Sequence, residues 1–228
     1  MAILRDWDLK IGIDDVLRGQ GMDPQQIRAR RPALIKTAEW ALQEGLPLLD
    51  PAVLVEEFAL SGVRHELVLL EGGGKLRSPL LVQHLAGAAR LAVIICSIGP
   101  QLEAVSGDLF QEEPLLALAL EGFGTAATEA LATEACNRLE VAAQVEGLFP
   151  SIPLSPGMVG WPVDPGQAQL FGLVDATQIG VHLNSSAMMQ PRMSLSQVLG
   201  FAVSPSFQGR TCDYCNLKET CRYQEHYV

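Results

Sequence analysis

Ser155-Pro156-Gly157-Met158-Val159-Gly160-Trp161-Pro162-Val163-Asp164-Pro165-Gly166 is the run that decides how this chain is read. Proline fixes φ and carries no N–H, whereas glycine reaches positive φ at little cost. A segment that mixes them so densely is neither a regular helix nor a central strand. It is a shaped loop, with backbone amides and carbonyls available to a ligand or partner. Downstream, a short helix is expected from Gly166 to Asp175. Thr177–Leu183 and Ser185–Arg192 then lead into Ser194–Val203, an apolar run of strand character.

Upstream of the loop, strand patterns alternate with amphipathic helices. Leu91–Ile98 is continuously apolar over strand length, the signature of a central strand buried on both faces. Cys96 belongs to it as a small buried hydrophobe. Gly99-Pro100 ends the strand and opens a helix carrying Leu102, Val105 and Leu109 on one face. Glu112-Glu113-Pro114 starts the longest helix, which is expected to run to about Glu146; acidic residues suit the dipole there and Pro114 suits the first turn. Gly122, Gly124, Ala126, Ala130 and Ala132 along it let a neighbour approach closely, and Cys136 is expected in its core.

Nearer the start, Asp6 to Ile13 alternates apolar and polar residues as a half-buried strand does. Asp23-Pro24 caps a helix bearing Arg28, Arg30 and Arg31, read as a solvated face rather than an anion site. A further helix with Leu34, Ala38, Ala41 and Leu42 stops at Gly45 and Pro47. Val53–Leu60 and His65–Leu70 read as strands joined through Ser61-Gly62, and Ser78-Pro79 as a helix start. Glu71-Gly72-Gly73-Gly74-Lys75 is a turn and not a phosphate loop, because Leu76 stands where Ser or Thr would bind magnesium. The whole predicts an α+β fold: a central, mostly antiparallel twisted sheet, including Leu91–Ile98 and Leu195–Val203, backed by the long helix.

Composition narrows the function. With 48% hydrophobic and 18% charged residues the 228-residue chain is globular. A formal net charge of -10 opposes a nucleic-acid or anionic-membrane surface. No apolar run looks long enough to span a bilayer, and the charged start is no signal peptide. Five cysteines without a secretory signal predict reduced thiols in a cytoplasm. No spacing links serines and histidines into a nucleophile triad, and no paired catalytic carboxylates stand out.

Two landmarks resemble the activation (reactivation) domain of cobalamin-dependent methionine synthase. One is Ser155-Pro156-Gly157 followed by Trp161-Pro162; the other is Ala187-Met188 with Pro191, Ser194 and Ser196. The resemblance is sharpest over residues 151–203. It implies an accessory partner more than a stand-alone catalyst. Such a partner docks on methionine synthase or another corrinoid-binding protein, whose cobalamin it helps to remethylate reductively with S-adenosylmethionine, served by a reductant protein. On this reading Pro156, Gly157, Met158, Gly160 and Trp161 line the ligand or docking cleft, Trp161 partly exposed as an apolar wall. Asp164 lies near the sulfonium, and the resemblance adds Glu129 as a carboxylate for the same charge. The family's arginine before Pro-Gly is absent, Pro153 standing there, and Met158 stands where tyrosine is expected. Losing that arginine costs about 1.5–3 kcal/mol of ligand affinity, so micromolar binding at best is expected, with Arg192 supplying the missing charge.

The end of the chain changes character. Residues 1–204 form the activation-domain-like unit, and 205–228 a cysteine-rich tail with Cys212, Cys215, Cys221 and His226 spaced C-x2-C-x5-C-x4-H. A C-x2-C turn lets two thiolates chelate one ion, a third thiolate can close on it, and His226 completes a zinc set. A [4Fe–4S] cluster asks for a fourth ligand, ordinarily cysteine. Two further functions therefore stand beside reactivation: an iron–sulfur electron-transfer protein, and a zinc-stapled non-catalytic interaction module.

Overall fold

The computed structural model describes residues 1–205 and 209–221. Its axis is β5 (Ala88–Ser97), paired antiparallel with β2 (Ala52–Arg64) on one side and β9 (Ser194–Ala202) on the other. From β2 the sheet continues through β3 (Leu67–Leu70) to β4 (Lys75–Arg77), and beyond β9 it ends at β6 (Phe149–Pro150). β1 (Ala2–Leu4) pairs with β2 outside this path. All of these pairings are antiparallel, as the sequence predicts. A separate ribbon joins β7 (His182–Leu183) to β8 (Met189–Gln190).

β5 is apolar from Leu91 to Cys96 because both of its faces are covered there. Ala92, Ile94 and Cys96 enter one core with Val53, Val55, Leu199 and Phe201. Leu91, Val93 and Ile95 enter another with Ala52, Leu54 and Val198. Successive strand residues point to opposite faces, so these are separate layers. The first layer is closed by α1 (Ile13–Gly19), α3 (Ala33–Gly45), α5 (Gln101–Leu109) and α6 (Pro114–Val145), with α2 (Pro24–Arg30) at its edge. The second is closed by α4 (Pro79–Leu85), α7 (Val163–Phe171) and the Leu154–Trp161 loop.

α6 sits tightly because it lacks bulk where α1 crosses it: a Cβ on Gly122 would stand 2.8 Å from the Val16 carbonyl oxygen. Its 32 residues, with a window of mean hydropathy 1.3, are long and apolar enough to cross a membrane, contrary to the sequence expectation. Within the fold 61% of that window is buried, so the apolarity is that of a core helix.

Local departures have plain causes. Residues 5–12 form no ladder. Their alternation records one line of contact, Trp7, Leu9 and Ile11 packing on the first core while Asp6, Asp8 and Lys10 face water. β2 runs straight through Ser61-Gly62, which is a register shift, and the hairpin turns instead at His65, with φ 55. α7 begins at Val163, earlier than expected, because Pro165 is tolerated in a first turn.

Candidate functional site

The Pro/Gly loop folds inward. Trp161, expected to be partly exposed in a cleft, is fully buried in the second core. The reason is area: the outward side of β5 and β9 needs a cover, and an indole supplies more apolar surface than any other residue of the loop. Gly166 makes room for it, since a Cβ there would lie 2.8 Å from Trp161 Nε1 and 2.9 Å from Pro156 Cβ. The loop also satisfies itself. The Gly157 N–H donates to the Trp161 carbonyl at 2.7 Å, and the Trp161 N–H to the Met158 carbonyl at 3.0 Å. Ser78 Oγ donates to the Gly160 carbonyl at 3.0 Å. The Gly157 amide is thus unavailable to a ligand carboxylate. Met158 is buried and Pro156 half-buried; Val159, Gly160 and Asp164 face solvent.

Arg192 is committed elsewhere. Its Nε donates to Glu103 at 2.9 Å, its terminal nitrogen to Glu121 at 2.9 Å, and its backbone N–H to Glu103 at 2.8 Å. Ser106 Oγ donates to the same Glu121 oxygen. The hydrogen bonds it donates to Glu103 and then Glu121 raise the pKa of the guanidinium further, and its charge ties the start of β9 to α5 and α6. It does not replace the arginine missing beside the Pro/Gly loop.

Glu129 lies on the other layer. It lines a cleft of about 440 Å³ between the extended segment Asp8–Ile11 and the outer side of α6, floored by Ala126 and Ala130. The lining carries Asp8, Asp15, Glu129 and Glu134 against Lys10 and Arg138, which leaves the cleft net acidic. Arg138 Nε pairs with Glu134 at 3.3 Å, and its guanidinium lies over Trp7. Asp15 accepts from the Gly12 N–H at 2.9 Å and from Arg18 at 3.1 Å. Lys10 has no ion pair among the described residues. Sequence reasoning missed Asp8 and Lys10; their period-two spacing, which puts both on one side of an extended chain, was the available signal. None of the Pro156–Asp164 residues lines this cleft. The residues expected to share one site thus fall into three places.

The cysteines divide into two classes. Cys96 and Cys136 are buried; desolvation pushes the Cys96 thiol up to about 12 and the Cys136 thiol up as well. Gln197 Nε2 donates to Cys136 Sγ at 3.0 Å, a packing role. In the tail, a tight turn at Thr211–Tyr214 is followed by a Cys215 N–H bond to the Cys212 carbonyl at 3.4 Å. The Leu217 N–H donates to Cys215 Sγ at 3.4 Å, and the Cys221 N–H returns to the Leu217 carbonyl at 2.8 Å. Partial burial, then the nearby Cys221 and Cys215, raises the Cys212 thiol. The donor types fit a thiolate metal, but among the described residues no three His, Cys, Asp or Glu side chains are gathered to hold one. His226 lies outside the described residues.

The tail rests on the loop. The Val159 N–H donates to the Tyr214 carbonyl at 2.9 Å, and Asn216 Nδ2 to the Gly157 carbonyl at 2.6 Å. The Tyr214 ring meets the buried His84 ring edge-on, centroids 4.5 Å apart. His84 Nε2 and Trp161 Nε1, both buried, have no hydrogen-bond partner among the described residues.

No protein-family model matches the sequence. No curated protein matches it either. Among solved structures the chain is similar to the crystal structure of the MetH reactivation domain bound to AdoHcy, with a TM-score of 0.63 over 88% of this chain and 78% of that one. Identity is 14%, so the likeness is one of fold: an antiparallel sheet backed by helices, the architecture of the methionine synthase reactivation domain.

Proposed function

We propose that the chain is a reactivation partner of a corrinoid-dependent methyltransferase or methionine synthase, acting in the cytoplasm. It docks on the corrinoid-binding protein and supports reductive remethylation of cob(II)alamin. The observation that supports this reading most is the acidic cleft at Glu129 on a fold shared with a domain that binds AdoHcy. The cleft's volume lies within the range of about 300–1,000 Å³ usual for small-molecule sites. Its charges suit an amino-acid-type ligand with a sulfonium: Glu129 and Asp8 face the positive centre, and Lys10 takes the carboxylate in place of the missing arginine. S-adenosylmethionine would supply the methyl group there, while one electron from a reductant protein goes to the cobalt of the partner. The chain's own residues bind and orient.

The tail is proposed to hold zinc or a [4Fe–4S] cluster through Cys212, Cys215 and Cys221, with His226 as the further zinc ligand. Iron–sulfur loading suits delivery of a low-potential electron. An absorbance band near ~400 nm after anaerobic purification separates the cluster from colourless zinc.

Calorimetry with S-adenosylmethionine and S-adenosylhomocysteine tests the site. Glu129→Gln is expected to weaken the cationic ligand about tenfold relative to the neutral thioether, and Lys10→Ala to weaken both. In parallel, a corrinoid protein in the cob(II)alamin state is given reductant and S-adenosylmethionine. Return of the methylcobalamin spectrum at the same rate with and without this chain would end the proposal.

A further inference from the structure

We propose that the cysteine segment is a metal-set latch on the Pro/Gly loop: an ion or cluster bound by Cys212, Cys215 and Cys221 fixes Tyr214 and Asn216, and through them the exposed Val159–Gly160 surface. The inference rests on the metal reading of the tail and adds what that metal regulates.

Two contacts tie the segment to the loop and a third ties it to α4, and they are unlike a chance approach of a tail. Two are backbone-anchored hydrogen bonds, Val159 N–H to Tyr214 O at 2.9 Å and Asn216 Nδ2 to Gly157 O at 2.6 Å. The third is the Tyr214 ring set edge-on against His84, itself 4% exposed and, among the described residues, without a partner for Nε2. Tyr214 is thereby one of the partly buried residues that complete the second core.

The two tethering residues lie within the metal motif itself. Tyr214 is between Cys212 and Cys215, and Asn216 directly follows Cys215. Any ion chelated by the C-x2-C turn constrains their backbone. Because no three ligand side chains converge among the described residues, an ion has to draw the thiols together, moving or stiffening the same turn. Within the segment, the Leu217 N–H donates to Cys215 Sγ and the Cys221 N–H to the Leu217 carbonyl. The Pro/Gly loop receives the effect through Tyr214 and Asn216.

What the latch controls is the exposed rim of the loop. Val159 is 54% exposed, an apolar side chain at the tip of an otherwise inward-folded segment. A loop with its Val159 and Gly157 backbone groups tied down presents that tip in one conformation, which lowers the ordering cost of docking. Released, it presents many.

Hydrogen exchange on the full-length chain provides the test, with zinc alone in one arm and iron plus sulfide under anaerobic conditions in the other. Metal content is measured on the same samples. Loading is expected to slow exchange over residues 157–161 about tenfold. Asn216→Ala and Tyr214→Ala are expected to keep the metal and lose most of the slowing, while Cys212→Ser/Cys215→Ser loses both. Metal retained with unchanged exchange in the loop overturns the latch and leaves the metal site standing. A chain that retains neither metal overturns the latch together with the metal reading beneath it.

Discussion

The guanidinium carbon of Arg138 lies 3.9 Å from the ring centroid of Trp7. This stacking joins a segment without ladder partners to α6, where Arg138 is one of the residues lining the acidic cleft. Arg138 also holds Glu134, so the pair fixes a cation, an aromatic ring and a carboxylate at once. Trp7→Ala is expected to lower stability by about 1–3 kcal/mol, from lost packing and lost cation–π attraction. Urea denaturation gives the value. A midpoint equal to that of the unmodified chain would mean that the segment is not held by this contact.

Gly166→Ala addresses the loop. The new Cβ would meet both the Trp161 indole and the Pro156 ring, neither of which has a flexible end to give way. A loss of about 1–3 kcal/mol is expected, with tryptophan emission moving to the red as Trp161 is displaced toward water. Unchanged emission and stability would show that the second core has slack at this point.

Why the architecture was readable and the site was not follows from particular residues. β5 announced itself because Leu91 to Ile98 is covered on both faces, and such burial demands an unbroken apolar run. Asp23 and Ser78 marked helix starts through the hydrogen bonds they accept from Gln25, Gln26 and Leu81. Trp161 misled because a tryptophan in a proline-rich loop has the same local sequence whether it points out or in; only the uncovered face of β9 decides. Arg192 misled for a related reason. The glutamates that capture it stand 89 and 71 residues away along the chain, and no local pattern points to them.

Arg192→Ala separates the two layers experimentally. It leaves Glu103 and Glu121 facing each other, but the arginine side chain is 56% exposed, so solvent screening limits the loss to about 1 kcal/mol or less. Binding of S-adenosylhomocysteine is expected to be unchanged. A tenfold weaker ligand would return Arg192 to the site.

Acid should weaken the fold through His84. Burial pushes its imidazole below the ordinary 6.5, and no ion pair of His84 occurs among the described residues. Above that ordinary value neither the folded nor the unfolded chain protonates the ring, and its contribution is complete. As pH falls below about 6.5, the unfolded chain takes up a proton that the folded chain resists, so stability is lost on acidification. Denaturation midpoints compared at about pH 7.5 and pH 5.5 are expected to differ less in His84→Gln than in the unmodified chain. An equal difference would assign the acid sensitivity to other groups.

The alternation of β5 has a consequence for how occupants of this molecule interfere with one another. Glu129 belongs to the helical layer on one side of the strand, and Val159, with the cysteine segment, to the layer on the other. A small molecule in the cleft and a protein seated on the loop lie on opposite sides of the sheet and cannot collide. The corrinoid protein, whose cobalt has to reach a methyl group held at Glu129, is therefore expected to dock at the cleft, and the loop is left to a second protein such as the reductant. Titrations of the small molecule and the loop's protein should be non-competitive: saturating one lowers the number of sites for the other by nothing. Any change in affinity would have to travel through the strand itself, as a shift in the stagger of β5 against β9.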